Sequence, residues 1–147
     1  MKILIREANR SEYPVLVDVW DRSVRATHHF LSEEDLPEIK KALPLNYFPN
    51  VDLYVSESDG RITGFIGLSS DMIEMLFVDA DTIRKGHGSA LLAFAMDKGY
   101  RKVDVNEQNE QALKFYLKNG FRILSRDETD SDGRPYPILH LSASIAD

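Results

Sequence analysis

The sequence contains no cysteine, which excludes disulfide staples and thiolate metal sites outright. It also lacks any run approaching the ~18 apolar residues that a membrane-spanning helix needs. The opening Met1-Lys2-Ile3-Leu4-Ile5-Arg6-Glu7 is too short an apolar stretch for a signal peptide, so a cytoplasmic location is expected. Positive charge is in deficit: 18 Lys and Arg face 24 Asp and Glu, a net charge of −6. Phosphate backbones select basic surfaces, so nucleic acid is not expected as a partner, and neither is a membrane. A basic substrate such as an amine is compatible with that balance, though many unrelated proteins are acidic too. Internal repeats and low-complexity linkers are missing as well.

What is present fits one domain over residues 1–147, with 43% hydrophobic and 29% charged residues. Helical and strand-like patterns alternate along the chain, giving an α/β or α+β class. Residues 2–7 read as a first strand. Asn9 or Ser11 can cap a helix to about residue 27, with Leu16, Val19, Trp20 and Val24 on its buried stripe. Ser32-Glu33-Glu34-Asp35 has the pattern of a capping box for a second helix, which Pro44 should end. Val51–Glu57 and Ile62–Ser69 flank an Asp59-Gly60 turn, the signature of a tight hairpin. Met72–Val78, nearly all apolar, reads as a central strand buried on both faces. A helix from Ser89 to about Lys98, a strand over Arg101–Asn106 and a helix over Glu110–Asn119 follow. Phe121–Arg126 and Ile138–Ser142 then pair as a last hairpin.

The segment between the central strand and the helix at Ser89 carries the most chemistry. In Ile83-Arg84-Lys85-Gly86-His87-Gly88-Ser89, two glycines allow a tight turn and close approach of a ligand to the backbone. The first amides of a helix lack internal partners and its dipole favours anions, so this is a backbone cradle for a pyrophosphate. Arg84, Lys85 and His87 add positive charge beside it. A P-loop would need Lys-Ser/Thr after the last glycine, but Ser89-Ala90 stands there. A dinucleotide fingerprint would need a third glycine where Leu91 stands. Elimination favours another pyrophosphate carrier, coenzyme A foremost, and a purely structural glycine turn is the alternative on the loop alone.

Downstream, Asn109-Glu110-Gln111-Ala112-Leu113-Lys114-Phe115-Tyr116 opens a helix that Asn109 can cap, with Ala112, Phe115, Tyr116 and Asn119 along one side. Phe115 reads as a core aromatic, whereas the Tyr116 phenol can donate a proton if it borders a ligand. Together the two segments resemble the GNAT superfamily of N-acetyltransferases. The family's second motif, N-x-x-A-x-x-F-Y-x-x-x-G-F, is matched from Asn109 through Ala112, Phe115, Tyr116, Gly120 and Phe121. Its first, Q/R-x-x-G-x-G/A, is matched at Gly86 and Gly88. The leading position holds Ile83, with Arg84 one place later. Ala26-Thr27-His28-His29-Phe30-Leu31 is similar to a T-H-x-F-L element of some small bacterial members.

The resemblance implies a central mixed sheet of about seven strands, flanked by helices and splayed between Met72–Val78 and Arg101–Asn106. It implies acetyl-CoA as acyl donor, held by Leu76, Phe77, Val78, Arg84, Lys85, Gly86, His87, Gly88, Ser89, Asn109 and Tyr116. Tyr116 would protonate the leaving thiolate, and no metal is required. An ammonium must lose a proton before it attacks, and Glu74 and Asp104 are the candidate bases. Asp104 interrupts the apolar alternation of Val103 and Val105 and should face away from them. His28 is a candidate acceptor contact, and Tyr136, between two prolines, could edge the same site. The acceptor would be a primary amine on a protein N-terminus, a lysine or a small molecule, and the protein a monomer or homodimer. A non-catalytic acyl-CoA-binding sensor shares the cradle and is the alternative. The same fold with a longer acyl chain is a third possibility.

Overall fold

In the computed structural model of the protein, residues 2–27 and 32–143 are described. Seven strands and four α-helices follow the expected order. They are β1 (Leu4–Glu7), α1 (Tyr13–Thr27), α2 (Asp35–Ala42), β2 (Asp52–Ser58), β3 (Arg61–Ser69) and β4 (Met72–Val78). Then come α3 (His87–Asp97), β5 (Lys102–Asn106), α4 (Glu110–Lys118), β6 (Arg122–Asp127) and β7 (Ile138–Ser142). The strands form one mixed sheet in the order β1-β2-β3-β4-β5-β7-β6. All neighbours are antiparallel except β4 and β5, which run parallel. A parallel pair needs a crossover, and α3 supplies it.

The local signals explain most element ends. The Asn9 amide donates to Glu12 Oε1 at 2.8 Å, fixing the entry to α1. Ser32 Oγ accepts from the Asp35 amide at 3.1 Å at the start of α2. Asp59 and Gly60 both have positive φ, 54° and 76°, and close the two-residue hairpin between β2 and β3. Pro44 does not end the helical path. Having no N–H to return to the preceding turn, it sits in a wider π-helical turn over Leu43–Tyr47 that continues α2. No helix among the described residues is long and apolar enough to cross a membrane.

Two apolar clusters sandwich the sheet. Leu16, Val19, Trp20 and Val24 of α1 pack with Leu43, Phe48, Leu53, Val55 and Phe65 on one face. Leu91, Leu92 and Ala95 of α3, with Tyr116 of α4, pack on Ile66, Leu68, Ile73, Val103, Val105, Leu139 and Leu141 on the other. Phe65 is fully buried and meets Phe48 edge to face at 5.6 Å between centroids. Truncating such a ring costs roughly 3–5 kcal/mol. Because α1 and α2 cover only the β2–β4 half of their face, the β5-β7-β6 half stays open on that side, and β6 is exposed throughout.

β4 departs from the expectation of a strand buried on both faces. Of its seven residues only Ile73 is buried. Leu76, Phe77 and Val78 line an open cleft, and a β-bulge precedes them: Gly67 pairs with Met75 and Leu68 with Ile73, which leaves Glu74 without a partner on β3. Pairing with β5 stops at the same point, being confined to Met72↔Lys102 and Ile73↔Val103. From Glu74 onward the β5-facing edge of β4 is bare of strand partners, and the sheet opens into a cleft.

Candidate active site

The splay creates a cleft of about 950 Å³ walled by β4, the glycine loop, α4 and the end of α1. Leu76, Phe77, Val78, Arg84, Gly86, Gly88, Ser89, Asn109 and Tyr116, all expected at the cofactor site, line it together. Gly86 precedes α3 with φ 89°, a conformation that side chains resist, and its carbonyl accepts from the Ala90 amide at 3.0 Å. Arg84 is also left-handed, φ 67°, a strain of order 1–3 kcal/mol for a residue with a Cβ. A Cβ on Gly88 would point into the cleft and meet only Phe115 and Val78 at 3.8–3.9 Å. The residues present therefore suit a pyrophosphate carrier: a bare strand edge leads to a helix start whose approach is kept clear by glycine.

The structure sorts the remaining candidates. His87 is turned away from the cleft. It is almost fully buried, with Nδ1 2.8 Å from Thr63 Oγ1 on β3, and burial lowers its pKa. A neutral imidazole in that position braces α3 against the sheet. Lys85 is exposed and is not part of the lining. Phe115 belongs to the lining rather than only to the core, because α4 lies along the cleft with that face half-buried. His28 lies outside the described residues. Tyr136 is buried: its hydroxyl donates to Asp35 and accepts from the Ser32 amide, which ties the 130–137 loop to α2.

Ser23 and Thr27 of α1, together with Lys114 and Lys118 of α4, line the cleft and were not expected there. Their signals are legible in retrospect. Ser23 and Thr27 are polar interruptions, four residues apart, of the apolar stripe on α1. Lys114 and Lys118 repeat at i, i+4 and bring cations to one edge of the cleft.

Beyond the main cleft a recess of about 200 Å³ opens between the splayed strands. Glu74 and Asp104 both border it, and Leu76, Phe77, Asn109, Ala112 and Tyr116 belong to both cavities. Asp104 faces away from buried Val103 and Val105, as the alternation requires. Burial, and then the Asp104 charge, hold the Glu74 carboxyl above the usual carboxylate range. Tyr116 is packed edge to face against Phe115 and Phe121, each 5.2 Å away between centroids. Burial alone raises its pKa, so the phenol stays protonated, and among the described residues none hydrogen-bonds its hydroxyl. A cleft lined by three cations, Arg84, Lys114 and Lys118, and one anion, Glu110, thus meets an acidic recess at one buried, protonated phenol.

The arrangement has close counterparts. A model of the GNAT acetyltransferase domain matches residues 49–123, the span from the end of α2's continuation to β6. The peptidyl-lysine N-acetyltransferase YjaB of Escherichia coli K12 is 40% identical over 97% of both chains. The peptidyl-lysine N-acetyltransferase YiaC of the same organism is 30% identical over 86% of this chain and 90% of its own. The solution structure of apo YjaB from Escherichia coli superposes with a TM-score of 0.90 over 99% of this chain and all of that one, at 38% identity. The PaiA N-acetyltransferase of Thermoplasma acidophilum, solved with coenzyme A, has the same fold: TM-score 0.73, 21% identity, 95% and 98% of the two chains covered. With its splayed sheet, its glycine cradle and these relatives along nearly its full length, the chain belongs to the GNAT family and is an acetyltransferase.

Proposed function

We propose that the protein transfers the acetyl group of acetyl-CoA to a lysine side-chain amine of a polypeptide. The observation that carries this is the junction at Tyr116 of a cleft edged by Arg84, Lys114 and Lys118 with a recess edged by Glu74 and Asp104. An anionic cofactor suits the first and an ammonium suits the second. The relatives at 30–40% identity are named for peptidyl-lysine acetylation, which supports the same acceptor.

In this mechanism the amides at the start of α3 and the left-handed loop before it bind the pyrophosphate. The unpaired edge of β4 bonds the pantetheine arm and aims the thioester carbonyl at the recess. Glu74 takes a proton from the acceptor ammonium, its raised pKa bringing it nearer to neutrality than an ordinary carboxylate. The free amine attacks the carbonyl carbon, a C–N bond forms and the C–S bond breaks. Tyr116 delivers its phenolic proton to the departing sulfur and regains one from the N–H of the new amide nitrogen. A backbone amide of β4 stabilises the oxyanion. The net products are the acetylated lysine, the free thiol and one proton released through Glu74.

The test uses a short peptide with one lysine and a blocked N-terminus, alongside its lysine-blocked counterpart with a free N-terminus. Release of thiol from acetyl-CoA with the first peptide, and fragmentation that places the acetyl group on the lysine, are expected. Transfer to the second peptide alone would move the acceptor to the α-amine. Saturable acetyl-CoA binding without transfer to any amine would mark a sensor.

A further inference from the structure

On the open half of the sheet, His140 of β7 stands directly across from Asp104 of β5 in the strand register. Its Nδ1 is 2.6 Å from Asp104 Oδ1, and its Nε2 is 2.7 Å from Asp127 Oδ2 on β6. Carboxylate oxygens only accept, so an imidazolium, donating from both ring nitrogens, satisfies both contacts, and the bonds to Asp127 and Asp104 hold the His140 pKa above its ordinary value. The two bonds are short and charge-assisted, and they reach His140 from both sides at once. Of the other charged groups on the flanking strands, Lys102 and Arg126 are paired, and Arg122, across from Ser142 on β6, is exposed. Lys102, two residues before Asp104, is 3.0 Å from Asp71, and Arg126 is bonded to Glu107 and Glu128. The other carboxylate bordering the recess with Asp104 is Glu74, on the bulge of β4.

We propose that His140 is a positioning residue of the acceptor site that acts through Asp104: bridged to Asp127 behind it, it fixes the Asp104 carboxylate at the recess and offsets the charge that Asp104 presents to Glu74. This rests on the assignment of Glu74 as the base. Two carboxylates bordering one recess repel, so the Asp104 charge adds to burial in raising the Glu74 pKa and narrows, on the acid side, the pH range in which Glu74 is a free base. A cation on the far side of Asp104 relieves that repulsion without entering the recess and competing with the substrate ammonium. The three side chains thus form a row, Asp127–His140–Asp104, that ends at the acceptor and begins at solvent.

The experiment follows kcat against pH at saturating lysine peptide, with acetyl-CoA affinity and melting temperature as controls. In His140→Gln the acid limb should move to higher pH by roughly half a unit to one unit, because Asp104 is no longer offset. In His140→Lys, which keeps a cation, the limb should lie near the wild-type position. In the Asp104→Asn background the His140→Gln shift should vanish, since the two act through one another. An acid limb that stays in place in His140→Gln, while Glu74→Gln loses most of its turnover, overturns the role of His140 alone. Equal shifts in the Gln and Lys variants overturn it too, because charge would not be what His140 supplies. Full turnover in Glu74→Gln instead overturns the base assignment, and the proposal falls with it.

Discussion

Arg22 of α1 grips both carboxylate oxygens of Asp79, the residue that follows β4, with Nε 3.0 Å from Oδ1 and Nη2 2.7 Å from Oδ2. Arg61 adds a further contact at 3.4 Å, and the Asp79 side chain is almost wholly buried. The pair ties α1, which supplies Ser23 and Thr27 to the cleft, to the strand whose edge forms the cleft floor.

Asp79→Asn should therefore destabilise the fold by about 1–3 kcal/mol, the scale of hydrogen bonds to charged groups, since both arginines are half exposed. Burial pushes the Asp79 carboxyl up, but Arg22 and Arg61 outweigh it and its pKa lies below the model-compound value of 3.8. A depressed folded pKa contributes stability that is complete above the unfolded value and is lost as pH falls through the folded one. Urea unfolding should show a constant gap between wild type and variant near neutral pH, shrinking below about pH 4. A gap that widens in acid would contradict the assigned ion pair.

Gly88→Val tests the cradle. The new Cβ would sit at ordinary contact distance from the Phe115 and Val78 side chains, so the backbone has no need to shift to admit it. The melting temperature should stay within about 4 °C of wild type, while acetyl-CoA affinity by calorimetry should fall at least ~10-fold. A variant that unfolds with its affinity intact at low temperature would make Gly88 a structural turn only.

Tyr116→Phe removes the phenol and keeps the ring contacts with Phe115 and Phe121. No bond from a described residue is lost with the hydroxyl, so unfolding free energy should change little. Turnover should fall by ~10²–10⁴-fold, nearer the lower figure because a thiolate leaves readily, with acetyl-CoA affinity unchanged. Wild-type turnover under conditions where chemistry limits the rate would put the proton donor elsewhere.

Much of this was legible in the chain itself, because the signals are local. Alternation set the strands, the Asp59-Gly60 pair set the first hairpin, and Gly86 and Gly88 marked the turn from a strand into α3. The Asn109–Phe121 motif placed Tyr116 on a helix face, and the polarity break at Asp104 told which way that carboxylate points.

What the sequence by itself determined, then, is which segments coil or extend and where a glycine loop turns from strand into helix, since backbone sterics and capping act within a few residues. What only the tertiary structure decided depends on partners far apart in the chain. The bulge at Glu74 is a register mismatch with β3, and it falls where β5 departs and the sheet opens. His87 and Arg84 stand three residues apart in one basic loop, yet packing against Thr63 takes the first into the core and leaves the second in the cleft. Asp104, His140 and Asp127 come from three strands, and only the order β5-β7-β6 sets them side by side. Hydrogen-bonded register across a sheet is fixed by the fit of whole strands, so no short window of sequence contains it.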